Sequence, residues 1–482
     1  MKRAIYAYNT HIEVYPYEKG ENKSIEDFYS VYDPTFYKMN PVAYYIENNT
    51  LYLPRGTNIT LLERQFNTNL ISIVKDSDPA KRIKIKATLK PRSRIQSEAV
   101  DFLTGEGRFS TALNYSQQSL NLDTGDGKTI AMILAIAKTY KTRTILIVHQ
   151  TKLKEQWMRE FMKASTLTED RFCDLVGTES MIAVMTENID ADVFFVNHQT
   201  IHLCASKYGW DFIKEFFKKI KVGVKIYDEA HKYFSNIMMI DFFSNTKKTF
   251  YLTATFTRTQ IKEKMIFKRA FANCYRFGEE TLNYEEKRKH VIYYYVTFNS
   301  HPDPTIVPGM YNKYNISPFK YIDYALKDDE KHTLLKVIEI IMNQTSKLRG
   351  RVLITTPKIE STEIMANFLK DIVGDKSIAI INSSKTKEEN DEARHADIIS
   401  STIKSLGTGI DIPGLRVLIN TEPFTSEDNM RQLKGRLREF GPTDDTFMFD
   451  IVDTGFKDIS IMGEKRKKAM KRYAKEIRLL EL

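Results

Sequence analysis

The segment Leu122-Asp123-Thr124-Gly125-Asp126-Gly127-Lys128-Thr129 has the residue types of a loop that wraps phosphate. Gly125 and Gly127 let backbone N–H groups curl around anionic oxygens. Lys128 is a point charge for the β and γ phosphates of a nucleotide. Thr129 offers a hydroxyl to Mg²⁺ and opens a helix whose positive end faces the anion. The spacing matches G-x-x-x-x-G-K-[ST] except at the first position, where Leu122 replaces glycine. That leucine must point away from the ligand. Asp126 must point outward, because a carboxylate facing phosphates repels them. The apolar run from Ile130 to Ile136 continues as a helix, as such a loop requires.

A second constellation is Val224-Lys225-Ile226-Tyr227-Asp228-Glu229-Ala230-His231. A strand ending in Asp-Glu puts two carboxylates at the C-terminal edge of a sheet, where α/β sheets bind ligands. Asp228 is expected to hold Mg²⁺, directly or through water. Glu229 is expected to orient and deprotonate an attacking water.

The elements that must position these groups follow from the pattern. Short β-branched runs at 144–148, 193–196, 224–227 and 250–253 alternate with helical segments. Runs bounded this way read as buried parallel strands. A second series follows at 352–354, 378–381, 397–399, 417–419 and 447–451. The fold class is therefore α/β, with two tandem parallel-sheet domains of similar pattern. A small α+β accessory domain precedes them over 1–88, rich in tyrosine and turn signals. Its tyrosines suit half-buried sheet positions, or a stacking surface for bases. The expected divisions are 1–88, 89–284 for the nucleotide-binding domain, 285–334 for a linker with one strand, 335–460 for the second domain, and 461–482 for a basic C-terminal helix. A basic stretch over 75–94 reads either as a solvated linker or as a strip that tracks phosphates.

Composition sets the outer limits. The chain has 482 residues, with 72 Lys+Arg against 62 Asp+Glu and a formal charge of +10. Hydrophobic residues are 42% and charged residues 28%, which is globular composition rather than disorder. Cys173, Cys204 and Cys274 form no C-x-x-C pair, which fits a reducing compartment. No apolar run reaches the ~18 residues of a membrane helix, and Tyr6, Asn9 and His11 interrupt any signal-peptide core. A soluble, intracellular protein is expected. The mild positive excess permits a nucleic-acid partner.

Several motifs in fixed order then make the chain resemble superfamily 2 helicases and translocases with a DEAH box, RecA-like in both halves, over about 90–455. Gln96 resembles the upstream glutamine that reads adenine, since an amide both donates and accepts. Ile147 to Trp157 resembles motif Ia, Asn197-His198-Gln199-Thr200 the next contact loop, and Leu252-Thr253-Ala254-Thr255 the S/T-A-T motif. Leu353 to Pro357 resembles motif IV, and Thr408-Gly409-Ile410-Asp411 motif V. Gln432 to Arg438 resembles motif VI, with its second arginine one residue early and Glu439 at the usual place.

The resemblance implies ATP and Mg²⁺, with ATP bound by Gln96, Gly125, Gly127, Lys128, Thr129, Gly409 and Asp411. Arg436 is the implied arginine finger and Arg438 a second candidate. His231, Thr253, Thr255 and Gln432 are implied in coupling. Gln150, Thr151, Gln199, Thr200, Thr356 and Thr408 are implied in nucleic-acid contact. The short chain after motif VI disfavours the spliceosomal branch. The motif set is most similar to the UvsW/XPB-like DNA group. That implies a monomeric 3′–5′ enzyme on forked or branched DNA, in replication, recombination or repair. Lys-, Ile-, Asn- and Tyr-rich usage suggests an AT-rich genome and a phage, hence a host cytoplasm. An RNA helicase and a non-hydrolysing ATP-gated clamp stand as the alternatives. His198 and His202 have zinc-like spacing but no third ligand. The tail over 465–478 reads as a docked amphipathic helix whose basic face also suits DNA phosphates.

Overall fold

The computed structural model describes the chain apart from residues 1–2, 34–35, 67–70, 123–125, 188, 231–232, 254–260, 279–288, 313–314, 328–332, 407–411, 439 and 441–443, and apart from the side chains of 71–73, 333 and 428. The chain divides into two units, Met1–Tyr284 and Glu285–Leu482. Each is built on a seven-stranded, wholly parallel sheet flanked by helices, the RecA-like arrangement.

In the first unit the strand order is Phe172–Leu175, Val193–Asn197, Thr144–Val148, Val224–Asp228, Lys248–Thr253, Gln117–Asn121, Tyr275–Phe277. Helices cover both faces, so the central strands read as unbroken apolar runs. Thr144–Val148 is buried at every position.

The tyrosine-rich segment forms a five-stranded sheet, antiparallel except at Ala4–Ala7 and Ile71–Val74. It belongs to the same unit as the first parallel sheet, and the two share one core. Tyr45 and Tyr52 pack on Phe243, with ring centroids 5.8 and 4.9 Å apart. The Thr10 hydroxyl donates to the Ser244 carbonyl at 2.7 Å. A Cβ at Gly56 would meet the Arg269 carbonyl at 2.3 Å, so only glycine lets this turn seat against the body. Tyr17, Tyr29 and Tyr52 are buried, the packing role, whereas Tyr32 and Tyr37 are exposed.

The basic stretch is not a free linker: its end at Arg92 meets Gln96, and its middle lies at the other edge of the sheet. It runs extended beneath the N-terminal ends of the strands. The Ile83 amide donates to Lys141 and the Arg143 amide to Lys81, both at 2.9 Å. Ile83 and Ile85 are buried, while Lys84 and Lys86 between and beyond them face solvent.

The second sheet has the order Ile378–Ile381, Ile398–Thr402, Arg351–Thr356, Leu415–Asn420, Thr446–Asp453, Val291–Phe298, Glu476–Glu481. Two expected boundaries need correction. The stretch 285–334 holds the one strand expected of it, but that strand, Val291–Phe298, is integral to the second sheet, paired along its length with Thr446–Asp453, so the stretch belongs to the second unit. The tail is not one helix. The helix Lys457–Met470 stops, and Glu476–Glu481 adds a parallel strand to Val291–Phe298. Ile477 and Leu480 pack on the core, while Glu476, Arg478, Leu479 and Glu481 are exposed. A spacing of three reads as a helix face, and the strand forms instead because the edge of Val291–Phe298 is open to pair with it. Among the described residues no helix is long and apolar enough to cross a membrane.

Each unit hides an ion pair under its sheet. Lys225 lies in the buried strand Val224–Asp228, 2.6 Å from Asp241, with both side chains essentially inaccessible. Asp241 also accepts from the Tyr227 and Tyr251 hydroxyls at 2.8 and 2.6 Å. In the second unit Arg466 lies 2.9 Å from Asp450, and the Tyr293 hydroxyl donates to the same carboxylate. Removing one partner of such a pair leaves an uncompensated buried charge, costing about 3–5 kcal/mol. Asp241→Ala is therefore expected to lower unfolding stability by about that amount. A denaturant midpoint equal to that of the wild type would contradict it.

Candidate functional site

Three neighbouring strands of the first sheet end side by side. Leu252 pairs with both Asp228 and Leu120, and Thr253 pairs with Asn121. Parallel strands all present their C-terminal ends on one edge. The residues that follow Asn121, Asp228 and Thr253 therefore share that edge. The Leu122 amide donates to the Thr253 carbonyl at 3.2 Å, tying the root of the phosphate loop to the neighbouring strand. Leu122 is fully buried, turned into the core.

Gly127 closes the loop with φ +84°. A Cβ there would lie 2.2 Å from the Gln96 side-chain nitrogen. Both facts demand glycine and leave a cradle that a larger residue would fill. Gln96 Nε2 donates to the Gly127 carbonyl at 3.1 Å, and Gln96 Oε1 accepts from the Arg92 amide at 2.7 Å. The glutamine thus clamps the loop backbone, and each amide atom keeps one further hydrogen-bonding position. Lys128 begins the helix Lys128–Ala135, and its Nζ donates to the Leu122 carbonyl at 2.8 Å. Thr129 follows in the first turn.

Asp228 ends its strand partly buried. Its Oδ2 accepts from the Trp157 indole at 2.8 Å, and its Oδ1 accepts from the Glu229 amide at 2.9 Å. Burial, and then the adjacent Glu229 carboxylate, push the Asp228 carboxyl up to about 6, against the pull of the Trp157 hydrogen bond and the Lys128 charge. A cation beside it would favour the ionised form. Hydroxyl and carboxylate oxygens are the hard donors that magnesium takes. Thr129 and Asp228 would hold it, with Lys128 and the helix start facing the phosphates. Glu229 has φ +53°, in the left-handed region that a β-carbon disfavours. Strain of this kind costs about 1–3 kcal/mol and gathers at working sites.

On the same edge, Gln150 immediately precedes the helix Thr151–Ala164, and Asn197 donates to the Thr151 hydroxyl at 3.4 Å. Gln150, Thr151 and Gln199 are exposed. Thr200 is not a surface contact: the helix His198–Tyr208 turns it inward, and Gln199 takes the outward position. His198 and His202 do not form a metal pair, since the one meets the Asn236 side chain and the other its carbonyl. Burial pushes His198 down to about 4.

In the second unit Thr356 is also buried, at the end of a central strand, with its hydroxyl spent on the Lys358 carbonyl. Gln432 lies in the helix Glu427–Lys434. Arg436 follows it, and its Nη2 donates to the Leu406 carbonyl at 3.4 Å. Arg438 is exposed. Gly125, His231, Thr255, Thr408, Gly409 and Asp411 lie outside the described residues.

Comparison with known proteins gives two family matches. Residues 89–258 match the family "Type III restriction enzyme, res subunit", and residues 331–441 match "Helicase conserved C-terminal domain", together more than half of the chain. The chain belongs to helicase superfamily 2. Its helicase domains imply ATP-driven activity and nucleic-acid binding. This helicase is 24% identical over 367 residues to transcript termination protein A18 of fowlpox virus, covering 72% of each chain. It is 24% identical to DNA 3′-5′ helicase XPB of Kineococcus radiotolerans, covering 75% of this chain and 60% of that one. Two solved structures share the fold. One is Saccharomyces cerevisiae Dbp5 bound to RNA and ADP BeF3, at TM-score 0.52 and 13% identity, over 82% of this chain and 90% of that one. The other is the Type ISP restriction-modification enzyme LlaBIII bound to DNA, at TM-score 0.55 and 15% identity, over 82% and 31%.

Two residues near this edge are not singled out by sequence reasoning. Trp157 reads as core, and it is buried, but its indole also holds the Asp228 carboxylate. Its place at the end of the IVHQTKLKEQW segment was the available signal. Tyr233 has φ +55° and lies against His198, with ring centroids 4.3 Å apart, and 6.1 Å from His149. It lies two residues beyond the Asp-Glu-Ala-His run. A hydrogen bond to a charged acceptor contributes about 1.5–3 kcal/mol. Trp157→Phe is expected to lower ATP turnover about tenfold or more while the chain stays folded at 25 °C. Unchanged turnover in the folded variant would show that the indole bond does not position Asp228.

Proposed function

We propose that this chain is an ATP-dependent DNA helicase or translocase that moves 3′ to 5′ and remodels forked or branched DNA in replication, recombination or repair. The observation that carries the reading is the shared sheet edge: Asp228 and the strained Glu229 stand at one strand end, and Lys128, at the start of its helix, reaches back to the Leu122 carbonyl beside another strand end of the same sheet. In this reading Gly125, Gly127 and Lys128 take the phosphates, Gln96 takes the adenine, and Thr129 and Asp228 hold magnesium. Magnesium supplies charge neutralisation at the phosphates. Glu229 orients the attacking water and accepts its proton. Arg436 serves as the arginine finger, with Arg438 as a second basic group. Gly409 and Asp411 assist nucleotide binding. His231, of the DEAH box, couples hydrolysis to movement together with Thr253, Thr255 and Gln432. Gln150, Thr151, Gln199 and Thr408 grip the strand, chiefly by its phosphates.

Relatives named DNA 3′-5′ helicases support the choice of DNA. Action on RNA is the second reading, favoured by the poxvirus relatives named for transcript termination. A non-hydrolysing clamp fits less well, since it has no need of a water-activating glutamate.

Lys128→Ala is expected to lose nucleotide binding. Glu229→Gln is expected to keep binding and to lose turnover by about 100-fold or more. Full hydrolysis in either variant would remove the assignment. A second expectation concerns the strand. Duplex DNA with a 3′ single-stranded tail should be opened, and a 5′-tailed duplex should not. Preference for the 5′ tail would reverse the polarity, and faster opening of the RNA duplex of the same sequence would make this an RNA helicase.

A further inference from the structure

The second unit contains a cavity of about 430 Å³ that none of these roles uses. One wall is the helix Lys457–Met470 and the turn after it. Lys465, Lys468 and Arg472 recur at intervals of three and four residues, so they fall on one face. All three line the cavity, and all three are exposed. The opposite wall is the start of the eight-residue helix Glu427–Lys434, whose N-cap Ser426 accepts from the Asn429 amide at 3.2 Å. The first N–H groups of a helix lack intrahelical partners and favour an anion.

Arg466 completes the lining and is an independent sign of a missing partner. It is 1% exposed. Its Nε is 2.9 Å from Asp450 and its Nη1 donates to the Phe424 carbonyl at 2.8 Å. Its Nη2 is buried and makes no hydrogen bond. A buried guanidinium nitrogen is seldom left this way in a folded protein. Asp450 neutralises the Arg466 charge, so the positive excess comes from Lys465 and Lys468. Among the described lining residues Glu427 is the one carboxylate, and it is exposed.

We propose that this cavity binds a phosphate group, held by Lys465, Lys468 and Arg472 over the Ser426–Glu427 helix start, with Arg466 Nη2 as a donor in the wall. Several converging donors suit a group with several acceptor oxygens, and charge-assisted bonds of this type are strong. A nucleic-acid backbone and a free polyphosphate offer the same chemistry. The site shares no residue with the nucleotide loop and stands whether or not the proposed function holds.

The test uses the full chain and the double variant Lys465→Glu/Lys468→Glu. A control variant, Lys370→Glu/Lys376→Glu, makes the same charge change elsewhere in the second unit. ATP hydrolysis without nucleic acid should match the wild type in both, which reports intact folding. Affinity for a short single-stranded DNA is read against salt. Inorganic pyrophosphate is titrated in the Lys128→Ala background, so that the nucleotide loop does not contribute. Roughly tenfold weaker DNA binding in the double variant alone, with a salt slope shallower by about 0.7 per lost contact, assigns the site to a strand phosphate. Saturable pyrophosphate binding that only the double variant loses assigns it to a free phosphate. Equal losses in the control and the double variant, or no loss of either ligand, would overturn the proposal.

Discussion

The register of one parallel sheet governs the catalytic side of this molecule. Strand ends at Asn121, Asp228 and Thr253 are adjacent because Leu252 pairs with Leu120 on one side and Asp228 on the other. A slip of one residue would send every inward side chain to the opposite face. The apolar strands that flank the edge make such a slip costly. Buried runs in the centre thus hold polar groups in place at the edge.

The same edge keeps Asp228 in a demanding state. Burial and the Glu229 carboxylate disfavour its charge, while Trp157 and Lys128 favour it. Such a balance leaves the carboxylate responsive to a nearby cation. The backbone at Glu229 carries strain that the surrounding sheet must support. Beneath the sheet, Lys225 and Asp241 are fully desolvated, with two tyrosine hydroxyls on the carboxylate. The second unit repeats this device with Arg466 and Asp450. Each pair fixes the inner face of a sheet whose edge carries polar residues.

Much of this was legible in the residues. Gly127, Lys128 and Asp228 announce themselves because few arrangements other than a phosphate cradle need glycine, lysine and a strand-end carboxylate in that order. The two parallel sheets follow from short apolar runs spaced by helices. Other features were not legible, for definite reasons. Thr200 and Thr356 match contact motifs by letter, but both are buried, and the Thr356 hydroxyl is spent on the Lys358 carbonyl. Trp157 satisfies a core role and a site role at once, so its type separates neither. The basic stretch over 75–94 carries the charge of a phosphate track, but Ile83 and Ile85 pin its middle to the opposite edge of the sheet. The strand Glu476–Glu481 depends on an open sheet edge made by a segment far away in the chain, which no local pattern reveals.

The central claim is that the edge built around Lys128, Asp228 and Glu229 hydrolyses ATP in response to nucleic acid. The most direct measurement is steady-state ATP turnover by the unmodified chain as single-stranded DNA is titrated in. The account predicts a saturable rise above the turnover seen without DNA. A rate that stays flat across the titration, with DNA and RNA alike, would contradict it.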